Sequence, residues 1–180
     1  WTPATTQASV SHSQLSELDR WILARLNQVV VRVTQRMEDY DPYGATLAIE
    51  PLLDDLTNWY VRRSRRRFWK SEHDADKDAA YATLYQVLLT LSQVLAPLVP
   101  FVAEVMYQNL ARSMDEAACE SVHHCEWPAA DETAAGNVAF GEVGGHAAAR
   151  FDGADGGIAA ADRLAAVKPL VVAGAQDRYL

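Results

Sequence analysis

Residues 18–40 read LDRWILARLNQVVVRVTQRMEDY, and this run decides the fold class. Leu18, Ile22, Leu26, Val29, Val33, Met37 and Tyr40 recur at spacings of three and four, which puts them on one face of a long amphipathic helix. Ser16, with Asp19 three residues later, has the spacing of an N-cap and its reciprocal acid. The valines are stiff at χ1 and lower the helix propensity, so packing must hold this element. Asp41-Pro42 stops it near Tyr40 and offers the next helix a cap and a first-turn proline.

Working outward, the pattern predicts a second helix over 43–69, with a stripe of Ile49, Leu52, Leu56 and Trp59. Pro51 removes a donor inside it and predicts a kink or a broken first turn. The same stripe continues to Arg63 and Arg67, so the inward face turns cationic at its far end. Residues 71–78 (SEHDADKD) form a polar connector. A third helix carries Tyr81, Leu84, Leu88, Leu91, Leu95 and Leu98 on its inner side. Pro97 and Pro100 end it, and a shorter fourth helix holds Phe101, Val102, Val105, Met106 and Leu110. Two amphipathic pairs with short connections predict an all-α fold, an antiparallel bundle of four main helices over residues 16–128. Ser121-Val122-His123 is the one short extended segment expected. Residues 1–15 read as a linker or arm. Residues 129–180, rich in Gly and Ala, read as an irregular extension, with a possible short helix over Ala159–Val167.

Charge points to function. The chain has a formal net charge of −8, yet Trp59 to Lys70 contributes +6 with no acid, leaving −14 elsewhere from 10 basic and 24 acidic residues. A concentrated cationic patch on an acidic body implies a localised anionic partner, and Trp59, Tyr60, Phe68 and Trp69 add stacking surfaces. No apolar run approaches the roughly 20 residues needed to span a bilayer, so no membrane partner is expected. Two cysteines without framework spacing fit a reducing, cytoplasmic setting. A chain that starts at Trp1 without a visible secretory signal is expected to be cut from a longer one.

The runs LDRWILARLNQVVVRVTQRMEDYD, DDLTNWYVRRSRRRFWKS, AAYATLYQVLLTLSQVLAPLVPFVAEVMYQNL and ESVHHCEWP, in that order, resemble the tRNA anticodon-binding helical domain of isoleucyl-tRNA synthetases. NWYVRRSRRRFW is the most discriminating part, and valyl and leucyl enzymes have looser versions of the same helices. The resemblance implies tRNA(Ile) as partner, alongside a catalytic domain of the same chain that uses ATP and Mg. It also implies a separate editing domain, since one methylene discriminates by only about 1–3 kcal/mol. The family's HIGH and KMSKS signatures do not occur here, so this piece is expected to be non-catalytic, with no cofactor of its own. Pro51 departs from the family pattern, as does the segment after Pro128, where only Val167-Lys168-Pro169-Leu170 echoes a later family element.

The candidate tRNA-binding residues are Arg62, Arg63, Arg66, Arg67, Trp69 and Lys70. At about 100° per residue the five cations share one broad face, with Arg65 off its edge. Guanidinium suits phosphate because it stays charged and binds in a bidentate manner. Pairing with the protein's own carboxylates, or docking on another domain, is the competing reading, strongest for Arg63 and Arg67. Trp69 could stack on an unpaired base or close the bundle, whereas Trp21 and Trp59 fall on apolar stripes and are expected in the core. Asn58 reads as an exposed or capping amide rather than a base reader. Cys119, His123, His124 and Cys125 match no common zinc spacing, and no metal site is expected. Asp54, Asp55, Asp74 and Asp76 read as solvated surface. An interdomain scaffold or a helical protein-interaction module remains the alternative function.

Overall fold

A computed structural model of the chain describes residues 15–69 and 74–130. Expectations for the N-terminal arm, for Lys70, for the first residues of the connector and for residues 131–180 lie outside the described residues. Helix α1 spans Glu17–Glu38, α2 Pro42–Asp54, α3 Arg62–Phe68, α4 Ala75–Leu95 and α5 Pro100–Tyr107. A π-helical segment, Asp55–Val61, joins α2 to α3 without a break, and a second, Gln108–Arg112, continues α5. The composite α2–α3 rod counts as one helix of the bundle, so four main helices stand as the pattern predicts. No strand occurs among the described residues.

Helix α1 starts in the expected capping box. The Asp19 amide donates to Ser16 Oγ (3.2 Å), and the Ser16 amide donates to Asp19 Oδ2 (2.9 Å). Ile22, Leu26, Val29 and Val33 are buried, and α1 packs on α2 and α4. Tyr40 departs from the stripe: it is 94% exposed with φ of 57°. The Asp41 amide donates to Arg36 O (2.8 Å) and the Tyr40 amide to Met37 O (3.1 Å), a Schellman motif with tyrosine where glycine is usual.

Helix α2 runs through Pro51 as continuous helix rather than breaking, and the ladder widens at Asp55 instead. A π insertion adds one residue and rotates everything beyond it by about 100°. The inward stripe therefore runs Leu52, Leu56, Tyr60 and Ser64, not Leu52, Leu56, Trp59 and Arg63. Tyr60 and Ser64 have no exposed surface, while Trp59 and Trp21 are only half-buried, a correction to their expected place in the core.

Helix α4 is apolar on most sides. Its buried line is Ala80, Thr83, Val87, Leu91 and Val94, with Leu84 and Leu88 at the margin. On α5, Ala103, Met106 and Tyr107 face inward and Phe101 is exposed, the reverse of its expected role. Val122–His124 forms a 3-10 turn in place of the extended segment. Glu104 anchors it, accepting from Ser121 Oγ (2.8 Å) and the Val122 amide (3.1 Å). Trp127 Nε1 donates to Thr34 Oγ1 (2.8 Å) and ties the following segment to α1.

Candidate nucleic-acid interface

The site is the far end of the α2–α3 rod, and one arginine fixes it in place. Arg67 Nη1 and Nη2 donate to Asp19 Oδ1 (2.8 Å) and Oδ2 (2.7 Å). Its Nε donates to Asp76 Oδ1 (2.8 Å), Nη1 also to Ser16 Oγ (3.2 Å), and Nη2 also to the Asp76 carbonyl (3.1 Å). A guanidinium has five N–H donors, and all five are used. Asp19 is fully buried and Arg67 is 14% exposed at its side chain, so this is an interior pair joining α1, α3 and α4. The Tyr60 hydroxyl completes the cluster, donating to Asp19 Oδ1 at 2.7 Å.

The titration behaviour of these groups follows from that geometry. Burial pushes the Asp19 carboxyl up, but hydrogen bonds from Arg67, Ser16 and Tyr60, with the Arg67 charge, bring it below the ordinary carboxylate value. Burial acts to lower the Arg67 pKa, and the hydrogen bonds and charge of Asp19, with the Asp76 charge, outweigh it and raise it. The Tyr60 phenol is raised by burial and by the adjacent Asp19 charge. All three groups hold fixed protonation states at neutral pH and act as a clasp.

Two aromatic contacts complete the clamp. Phe68 meets Tyr60 and Tyr81 edge-on, at centroid distances of 6.4 and 5.2 Å. Earlier along the rod, Arg25 Nε donates to Asp55 Oδ2 (2.8 Å), tying α1 to the π segment. Burial raises the Asp55 carboxyl, and Arg25 opposes that shift.

With Arg67 and Phe68 held inward, α3 presents the opposite surface. Arg62, Arg63, Arg65, Arg66 and Trp69 are exposed, and they line a shallow concavity of about 400 Å³. Their positions cover about 160° of the helix circumference. Among the described residues, no carboxylate forms a salt bridge with any of the four arginines. The Arg63 guanidinium lies over the Trp59 ring at 4.5 Å, and Arg65 over Trp69 at 5.1 Å. Each pair keeps a cation beside an aromatic face, a favourable contact that leaves the guanidinium edge free to donate. Arg65 and Arg66 also sit in the last turn, where the helix dipole favours positive charge.

The predicted set thus divides. Arg62, Arg63, Arg66 and Trp69 come together on the exposed face, and Lys70 lies outside the described residues. Arg67 is withdrawn from it, because a guanidinium with every donor engaged has none for phosphate. The competing structural-pair reading, strongest for Arg63 and Arg67, describes Arg67 and not Arg63, which is exposed. Arg65, expected off the edge of the face, belongs to it, beside Trp69 four residues on. Asn58 Nδ2 donates to Asp54 Oδ1 (2.7 Å). Asp55 and Asp76, expected as solvated surface, each hold an arginine.

An exposed cationic and aromatic rod end on a helical bundle has the surface chemistry that phosphate contact and base stacking require. The chain matches the profile of the anticodon-binding domain of tRNA ligases over residues 19–152, and it belongs to that family. It is 58% identical over 118 residues to an isoleucine–tRNA ligase of Dehalococcoides mccartyi, covering 66% of this chain and 12% of that protein. It is 51% identical over 116 residues to that of Thermus thermophilus, covering 64% and 11%. For Clostridium tetani the match is 50% over 115 residues, again 64% and 11%. The chain therefore spans about 12% of the length of the first of these curated relatives.

Proposed function

We propose that this chain is the anticodon-binding part of an isoleucine–tRNA ligase and that it grips the anticodon region of tRNA(Ile) with the exposed face of α3. The observation that carries this reading is the division of the arginine cluster: Arg67 locks the helix end, and Arg62, Arg63, Arg65 and Arg66 are left exposed beside Trp69. Similarity to isoleucine–tRNA ligases supports the choice of tRNA. The arginines take phosphates and set register, and Trp69, 69% exposed, offers a stacking surface to an unpaired base.

In this reading a catalytic domain of the same polypeptide activates isoleucine with ATP and magnesium in the cytoplasm, and this chain orients the tRNA toward it. Among the described residues no three His, Cys, Asp or Glu side chains converge on a point that could hold a metal ion, and no helix is long and apolar enough to cross a membrane. The test is binding of the chain to isoleucine and valine tRNA transcripts at several salt concentrations. Tighter binding to the isoleucine transcript supports the reading. Equal affinity, or none, overturns anticodon reading by this piece and favours a scaffold between domains.

A further inference from the structure

Trp59 is the aromatic residue of the rod that the tRNA grip leaves without a task. The π turn over Asp55–Val61 carries this ring off the inward line, so Tyr60 takes the buried place and Trp59 is left half-buried. Leaving part of an indole in water forgoes apolar burial. What the ring meets is Arg63, four residues on, with the guanidinium carbon 4.5 Å from the ring centroid.

That pairing decides what each tryptophan can do. A base stacking on the Trp59 face beneath Arg63 would have to displace the guanidinium, whereas Trp69 is exposed and its Arg65 contact is longer, 5.1 Å. Among the described residues Arg63 forms no salt bridge, so no carboxylate competes with the ring for it. A guanidinium stacks through its plane and donates from its edge, so it can stay on an indole while it binds phosphate in bidentate fashion. An arginine held in this way has surrendered part of its rotamer freedom before any ligand arrives, which lowers the cost of binding.

We propose that Trp59 is a positioning residue of the cationic face, one that holds the Arg63 guanidinium ready for an RNA phosphate and itself touches no base. This rests on the reading of the face as an RNA grip, and it gives the two tryptophans different tasks. Trp59 acts through Arg63, and Trp69 offers the open stacking surface. Arg63 and Trp69 both line the concavity and Trp59 does not, as that division requires.

The test measures binding of a short uridine oligonucleotide, a probe with phosphates and unpaired bases but no anticodon, across a salt series. Trp59→Leu should weaken binding about two- to fivefold. Trp59→Phe, which restores a ring beneath the cation, should recover most of that loss. Arg63→Gln should flatten the dependence of log affinity on log salt by about 0.7, and adding Trp59→Leu to it should cost nothing further. Side-chain NMR of the wild type should show Arg63 resonances shifted by the ring current, a readout that needs no variant to fold. Wild-type affinity in Trp59→Leu, no recovery with Trp59→Phe, the same loss in the Arg63→Gln background, or unshifted Arg63 resonances would each overturn the proposal. So would a wild-type chain that ignores the oligonucleotide. Equal affinity for isoleucine and valine tRNA transcripts is a separate result: it removes the tRNA assignment and leaves the oligonucleotide comparison intact.

Discussion

Replacing Arg67 by alanine removes the only cation that reaches the buried Asp19 carboxylate among the described residues. Five hydrogen bonds vanish at once, and a charge with no exposed surface is left against Ser16 and Tyr60. Breaking a buried pair from one side costs about 3–5 kcal/mol, chiefly the desolvation of the stranded partner. Urea unfolding of the chain followed by circular dichroism reads this directly. Combining Asp19→Asn with Arg67→Ala removes both charges, so the double variant should recover part of the loss, with non-additivity of about 0.5–3 kcal/mol. Acid titration gives a second arm. The folded Asp19 pKa lies below its unfolded value of about 4, so its stabilisation is complete above that value and is lost as pH falls through the folded one. The stability gap between the wild type and Asp19→Asn should therefore close in acid. Arg67 shifts the other way, and its contribution would be lost only in alkali beyond the ordinary arginine range. If Arg67→Ala behaved like Arg66→Ala, within about 0.5 kcal/mol of wild type as surface changes usually are, the interior assignment would be wrong.

Tyr40→Gly should stabilise the chain by about 1 kcal/mol, since an L-residue pays roughly 1–2 kcal/mol in the left-handed region and the exposed ring makes little offsetting contact; a lower melting temperature would refute this. Ser64→Ala should fall within about 0.5 kcal/mol of wild type or stabilise slightly, because the buried hydroxyl has no hydrogen-bond partner among the described residues. Ser64→Leu at the same fully buried site should cost about 1–3 kcal/mol by overpacking, and equal stability of the two variants would contradict close packing of α3. Trp69→Ala should weaken tRNA binding by about 1–3 kcal/mol with an unchanged unfolding midpoint. A drop in that midpoint would move the ring into the structural class.

Much of the bundle is legible in the sequence because its strongest signals are periodic or local. The α1 stripe from Ile22 to Val33 and the Ser16–Asp19 cap need no knowledge of partners. The rod end is harder for a specific reason. Counting by 3.6 residues per turn carries the inward line from Leu56 to Arg63, and one π turn moves it to Tyr60 and Ser64. Nothing in the spacing announces that extra residue, and it decides which arginine is interior. Asp19 reads as a capping acid and is one, but its second task depends on Arg67, 48 residues away. Helix α4 is apolar on most sides, so its buried line is set by the small residues Ala80 and Thr83 that admit neighbours. Phe101 shows the converse, an apolar residue that the described part of the fold leaves outside.

Binding of isoleucine tRNA by the wild-type chain and by the double variant Arg62→Gln, Arg66→Gln, measured as affinity against salt, tests the exposed arginine face most directly. With four phosphates engaged, log affinity against log salt should have a slope of magnitude about 3–4, and the variant should lose about 1.4–1.8 of it. The variant's unfolding midpoint should not move, because neither guanidinium forms a salt bridge among the described residues. A variant with the wild-type slope and wild-type affinity would show that tRNA does not meet this face.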